Sequence, residues 1–192
     1  METWMIFAIC AVVALAVIVV IAALAMRSKR MRGAKQTTQL RAGFGPEYEK
    51  TVGDKGRSSA EKDLLKRQHG AEGRQVRSLA AAEVSQYTER WTAAQAQFVD
   101  EPGPALTTAG RLLLEVLEAR GYPTVDFETG AKALSVDHPR AVQDYRAAHD
   151  VAMSNQRTPA TTDDLRAAMM RYHAVFNELM DVSAAVPTVH AA

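Results

Sequence analysis

Val84-Ser-Gln-Tyr87-Thr-Glu-Arg-Trp91-Thr-Ala-Ala94-Gln-Ala-Gln-Phe98 decides the fold class. Its large side chains, with Ala94 in the gap, recur every three or four residues. Gln86, Glu89, Arg90, Gln95 and Gln97 fill the other positions. That spacing draws one face of an α-helix over residues 81–99. An aromatic stripe of this kind can be a ligand surface. The plainer reading is a seam buried against a partner helix.

The residues that follow it repeat the pattern. Asp100-Glu101-Pro102-Gly103-Pro104 is a turn that leads acids and a proline into a helix of about 104–120. Leu106, Ala109, Leu113 and Val116 share a face there, widened by Leu112 and Leu117. Arg120-Gly121-Tyr122-Pro123 stops it, since glycine accepts a left-handed conformation and proline cannot continue a helix. A short helix over 126–134 would point Phe127, Ala131 and Leu134 inward. Asp137 reads as an N-cap and Pro139 as a first-turn residue of a helix reaching about Asn155. Its stripe is Val142, Tyr145, His149 and Ala152 or Met153. Thr161 and Asp164 are spaced like a capping box at the start of a last helix, with Leu165, Met169, Tyr172, Phe176 and Leu179 on one face. No stretch alternates with period two. The domain over 78–181 is expected to be all-α, a small four-to-five-helix bundle, with 182–192 a disordered tail.

N-terminal to it the character changes twice. Residues 60–77 are mostly charged, with Leu64 and Leu65 the large apolar exceptions, and read as an exposed helix or stalk. Residues 27–59 read as a flexible basic linker broken by Gly33, Gly43, Gly45-Pro46, Gly53 and Gly56. Pro46 there is placed to begin a short helix. Trp4 to Met26 contains no charge, glycine or proline, and exceeds the ~20 residues a helix needs to cross a bilayer. This is the expected transmembrane helix, leaving 1–3 as a short N-terminal flank. A cleaved signal peptide would have a basic start and a shorter apolar core. Met1-Glu2-Thr3 supplies no base.

Charge sets the expected orientation. Arg27, Lys29, Arg30, Arg32, Lys35 and Arg41 follow the apolar run with no acid among them, whereas residues 42–192 carry more acids than bases. The positive-inside rule then places the C-terminal domain in the cytoplasm. The same collar, Arg27, Lys29, Arg30, Arg32 and Lys35, is a candidate site for anionic lipid headgroups. A basic collar on a mildly acidic domain argues against nucleic acid as a partner. Cys10, the single cysteine, lies inside the apolar run, so neither an intramolecular disulfide nor a cysteine zinc site can form.

Catalytic signatures are missing from the sequence. There is no phosphate-binding glycine loop, nucleophile elbow or His-Glu-x-x-His spacing, and no cofactor is implied. An alternative ligand or acid/base site would draw on Asp137, His138, Tyr145, His149 and His173, provided the last two helices bring them together.

Phe44-Gly45-Pro46-Glu47-Tyr48, Arg90-Trp91, Phe98-Val99-Asp100, Arg120-Gly121-Tyr122-Pro123, Ser135-Val136-Asp137-His138-Pro139, Tyr145-Arg146 and Thr162-Asp163-Asp164-Leu165-Arg166 together resemble an uncharacterised bacterial family of single-span membrane proteins, whose members usually carry the label hypothetical or secreted protein. The resemblance covers about residues 1–181 and implies a span and a helical domain, with no activity to carry over. At Leu79-Ala80-Ala81 the sequence departs from the family's Leu-Ser-Pro helix start, which weakens the cap there. The functional expectation is a non-enzymatic, membrane-tethered adaptor that meets the bilayer and a membrane or membrane-proximal protein. The alternatives are a ligand-binding or enzymatic helical domain, and an exported anchored domain.

Overall fold

The computed structural model describes residues 35–180. The expected span 4–26, the residues Arg27, Lys29, Arg30 and Arg32, and the tail 182–192 lie outside them. Among the described residues every regular element is a helix, and no helix is long and apolar enough to cross a membrane. The chain separates into two compact units, residues 1–42 and 43–192. In the first, the described residues belong to helix α1, residues 35–44, on which Lys35 is exposed and Leu40 buried.

The second unit holds α2 (Pro46–Lys55), α3 (Arg57–Ala71), α4 (Ala81–Asp100), α5 (Pro102–Ala119), α6 (Phe127–Asp137), α7 (Ala141–Asn155) and α8 (Thr162–Met180). Helix α5 is the axis of the bundle: it packs on α4, α6, α7 and α8, and α7 lies along α8. Its apolar face is the one the sequence draws, with Leu106, Ala109, Leu112, Leu113, Val116 and Leu117 at most 2% exposed. Each buried leucine of this kind contributes ~1.5–3 kcal/mol by leaving water. Facing them from α8 are Leu165, Met169, Tyr172, Phe176 and Leu179, all buried. On α4 the seam centres on Trp91 and Ala94, with Val84, Tyr87 and Phe98 half-buried at its edges. Trp91 stacks on Phe176 at 4.7 Å between ring centroids.

Local chemistry sets the helix ends. Gly121 has φ +90° and its N–H bonds Glu118 O at 2.8 Å, while Tyr122 N–H bonds Leu117 O at 3.0 Å. This double closure satisfies two carbonyls at the end of α5. Asp126 accepts a hydrogen bond from Thr129 N at 2.7 Å and caps α6. Thr161 Oγ1 accepts from Asp164 N at 3.1 Å, which caps α8, and donates to Asp164 Oδ2 at 2.6 Å, so the carboxylate meets the threonine hydroxyl. At α4, Glu83 Oε2 accepts from Ala80 N at 2.8 Å. Alanine has no polar group with which to reciprocate, so half of that capping box is made.

Three sequence expectations change. The linker reading of 27–59 gives way over its described part, where α1 and α2 form. Leu40, Phe44, Tyr48 and Thr51 recur every three or four residues across the Gly45-Pro46 break, and all four are buried. Of the exposed helix or stalk expected over 60–77, a helix forms as α3, but it is not an exposed arm: it packs on α2 and α6 with Ala60 and Leu64 fully buried. Gly56 alone separates α2 from α3. Finally, Asp137 does not cap α7. Helix α6 runs on through Asp137, carried by Ser135, which is fully buried and donates to Lys132 O at 2.7 Å. Helix α7 starts three residues beyond His138, with no capping hydrogen bond from a side chain.

Candidate functional site

The five residues of the alternative site fall into three settings. Asp137 and His138 sit at the α6–α7 corner. Asp137 Oδ2 lies 3.5 Å from Arg74 Nη2, and His138 Nδ1 pairs with Glu178 Oε1 of α8 at 2.7 Å. The Arg74 guanidinium lies 5.0 Å over the ring of Tyr122. Burial, then the neighbouring Asp137 charge, push the Tyr122 phenol well above its ordinary value.

His173 faces elsewhere: it stacks parallel to Trp91, 5.3 Å away and 8° from coplanar, at the α4–α8 seam. Tyr145 and His149, one turn apart on α7, are the pair that meet, through Phe127 of α6. His149 lies flat on Phe127 at 3.5 Å and 8°, and Tyr145 tilts against the same ring at 4.7 Å. Convergence of all five is therefore corrected to this one pair. The reason is helix rotation: His173 follows Tyr172 by one position, about 100° around α8. With Tyr172 turned into the core, His173 is carried to the α4 side.

His149 opens onto a groove of about 230 Å³ between α5, α6, α7 and α8. Leu106, Leu114, Phe127 and Ala152 give it apolar walls, and Arg111, Gln156 and Tyr172 add polar groups. Gly110 sits on α5 where Tyr172 crosses; a Cβ there would come 3.0 Å from the Tyr172 hydroxyl. Burial depresses the His149 pKa, so its imidazole is neutral at pH 7. Burial likewise raises the phenols of Tyr145 and Tyr172. The Tyr145 hydroxyl is buried without a hydrogen-bond partner. A neutral imidazole and a phenol beside an apolar groove can bind and orient a small molecule. No group of three His, Cys, Asp or Glu among the described residues is placed to hold a metal.

Sequence reasoning missed a buried carboxylate in the second unit. Glu47 of α2 is 2% exposed, and its Oε1 accepts from Arg67 Nη1 of α3 at 2.9 Å and from Arg146 Nη2 of α7 at 3.2 Å. Arg67 also forks onto Asp63 Oδ2, at 2.7 and 3.1 Å, and reaches Ser135 Oγ at 3.3 Å. Arg146 forks onto Glu128 of α6. This network fastens the α2–α3 pair to α6 and α7. Its one local signal is the spacing of Asp63 and Arg67, a helical ion pair like many others.

No protein-family model matches this sequence, and no curated protein or solved structure matches it significantly.

Proposed function

We propose that this protein is a membrane-tethered helical interaction module, non-enzymatic, held at the cytoplasmic face of the cell membrane by a single N-terminal span. The observation that carries the proposal is the uncharged run Trp4–Met26 followed at once by a collar of bases without an acid. An apolar run of that length meets the backbone's need for internal hydrogen bonds in lipid only as a helix. The collar fixes its direction and adds ~1 kcal/mol per base against anionic headgroups. Tethering concentrates the bundle near membrane-bound proteins without any new contact. Asp137, His138 and His173 are taken up by contacts within the domain, with Arg74, Glu178 and Trp91 respectively.

The test is topology together with partner capture. A C-terminal reporter active only outside the cytoplasm should stay silent, and one active only inside should work. Photo-crosslinking from the bundle in intact cells should yield a discrete membrane-protein adduct. Activity of the external reporter, or an N-terminus trimmed to a residue after Met26 in the mature protein, overturns the reading.

A second reading, a small-ligand domain, is favoured by the His149 groove alone. It predicts that an aromatic or aliphatic fragment bound there perturbs the His149 and Gly110 NMR signals. Silence of both signals across a fragment library would reject it.

A further inference from the structure

On another part of the second unit, the end of α3, the 122–126 turn and α6 enclose a cleft of about 210 Å³. Arg67, Arg74 and Lys132 line it, with Thr129, Gly70 and Pro123 between them. No carboxylate is among the lining residues. The acids that balance these cations lie outside the lining: Glu47 and Asp63 on Arg67, Asp137 on Arg74, and Glu128 at 3.5 Å from Lys132 Nζ.

The three cations are not equally satisfied. Arg67 is saturated by its two acids and Ser135. Arg74 is not. Its side chain is 12% exposed, its Nε is buried with no hydrogen-bond partner, and its contact with Asp137 is 3.5 Å, too long for a strong charge-assisted bond. Stacking on Tyr122 nevertheless fixes the plane of its guanidinium. Apart from that 3.5 Å contact with Asp137, no hydrogen bond among the described residues engages its Nη groups, which can therefore take an acceptor offered from the cleft. One oriented planar fork and an ammonium beside the same cavity can share the several terminal oxygens of a dianion.

We infer that this cleft binds the phosphate monoester group, with Arg74 and Lys132 as its principal contacts and Pro123 and Ala133 against the organic remainder. The inference does not depend on the tether. Such a group is carried both by small soluble phosphate esters and by a lipid headgroup of the phosphatidic acid type.

The experiment uses the full-length protein in an uncharged maltoside detergent, following the amide NMR signals of Gly70 and Thr129. Inorganic phosphate and glycerol phosphate are titrated in one arm. Phosphatidic acid in mixed micelles, with phosphatidylglycerol as the diester control, forms the other. Saturable shifts are expected at millimolar or lower concentration, and Arg74→Gln or Lys132→Gln should weaken binding about tenfold. Gly70→Leu is the second kind of variant. It lies in the last turns of α3, and nothing stands within 4 Å of the Cβ it would add, so the fold tolerates it while the cleft fills. Binding should disappear with the thermal transition unchanged. A response to soluble esters assigns a soluble source, and a response to phosphatidic acid over phosphatidylglycerol assigns the headgroup. Saturation by neither, or wild-type binding by a folded Gly70→Leu protein, overturns the inference.

Discussion

Glu47 and Arg146, separated by 99 positions in the sequence, meet at 3.2 Å, with the carboxylate 2% and the arginine side chain 11% exposed. The pair joins the second helix to the seventh and is shared with Arg67. Without Glu47, Arg67 keeps Asp63 and Arg146 keeps Glu128, so the loss is that of two charge-assisted hydrogen bonds and not of a wholly unpaired buried charge. Glu47→Ala should therefore destabilise the domain by ~1.5–3 kcal/mol in a denaturant melt, with Glu47→Gln intermediate. A loss below ~1 kcal/mol would mean that water reaches Arg67 and Arg146 freely.

Gly121→Ala tests the stop after α5. Its φ of +90° is in the left-handed region, and an added Cβ would lie 3.0 Å from Gln75 O, a backbone atom. The conformational term alone is ~1–2 kcal/mol. The melt should shift by at least that much. An unchanged midpoint would show that the turn re-forms without the left-handed residue.

At the start of α4, Ala80 already has the extended backbone of an N-cap, φ −70° and ψ 154°. Ala80→Ser supplies the missing half of the capping box and should stabilise by ~1 kcal/mol. Glu83, held by Arg77 and by the Ala80 N–H, has its pKa lowered from 4.5 to about 2. Its folded value lies below its unfolded one. Its contribution is thus full above 4.5 and fades as pH falls toward 2. A carboxyl NMR titration midpoint near 4.5 would contradict the cap.

His149 supplies acid sensitivity of another kind. Burial, the largest cause, holds its pKa below 6.5, with Arg146 acting in the same direction and Asp150 and Glu128 opposing. The neutral form is the one the fold favours. Stability from this residue is present above pH 6.5 and lost as pH falls through the folded value. His149→Phe preserves a ring on Phe127 and removes the proton. Its stability should vary less than the wild type's between neutral pH and pH 5. Parallel pH curves would reject the assignment.

Trp91→Ala removes the ring that stacks on both Phe176 and His173 and leaves a cavity at the α4–α8 seam. Large-to-small changes of this size cost ~3–5 kcal/mol in a denaturant melt. A smaller loss, with native-like far-ultraviolet circular dichroism, would indicate that α4 slides inward to fill the space.

The α4, α5 and α8 faces were legible because each buries a continuous apolar stripe. Leu106 to Leu117 and Leu165 to Leu179 announce their period without help. The α2–α3 pair was not legible because its few buried apolar residues, Tyr48, Ala60 and Leu64, are mixed with buried polar ones. Glu47, Thr51 and Arg67 have no hydrophobic period, and the partner that makes Glu47 a core residue lies far along the sequence. Gly56 reads as linker punctuation yet is the corner between the packed helices α2 and α3. The candidate site was half legible. Tyr145 and His149 share a face by spacing, but which neighbour each aromatic meets depends on how α6 and α8 are rotated. Only packing fixes that. The Arg74 cleft left no trace in sequence, since its lining comes from three elements.

Arg120, 2% exposed, donates from Nη1 to the Leu179 carbonyl at 2.8 Å, so the last turn of α8 is clasped to the end of α5. Helix ends ordinarily fray, which blurs the origin of anything joined to them. Here cargo appended downstream of Met180, whether an affinity handle, a fluorophore or a spin label, would be mounted on an anchored post, and distances measured from its base would report the position of the bundle itself.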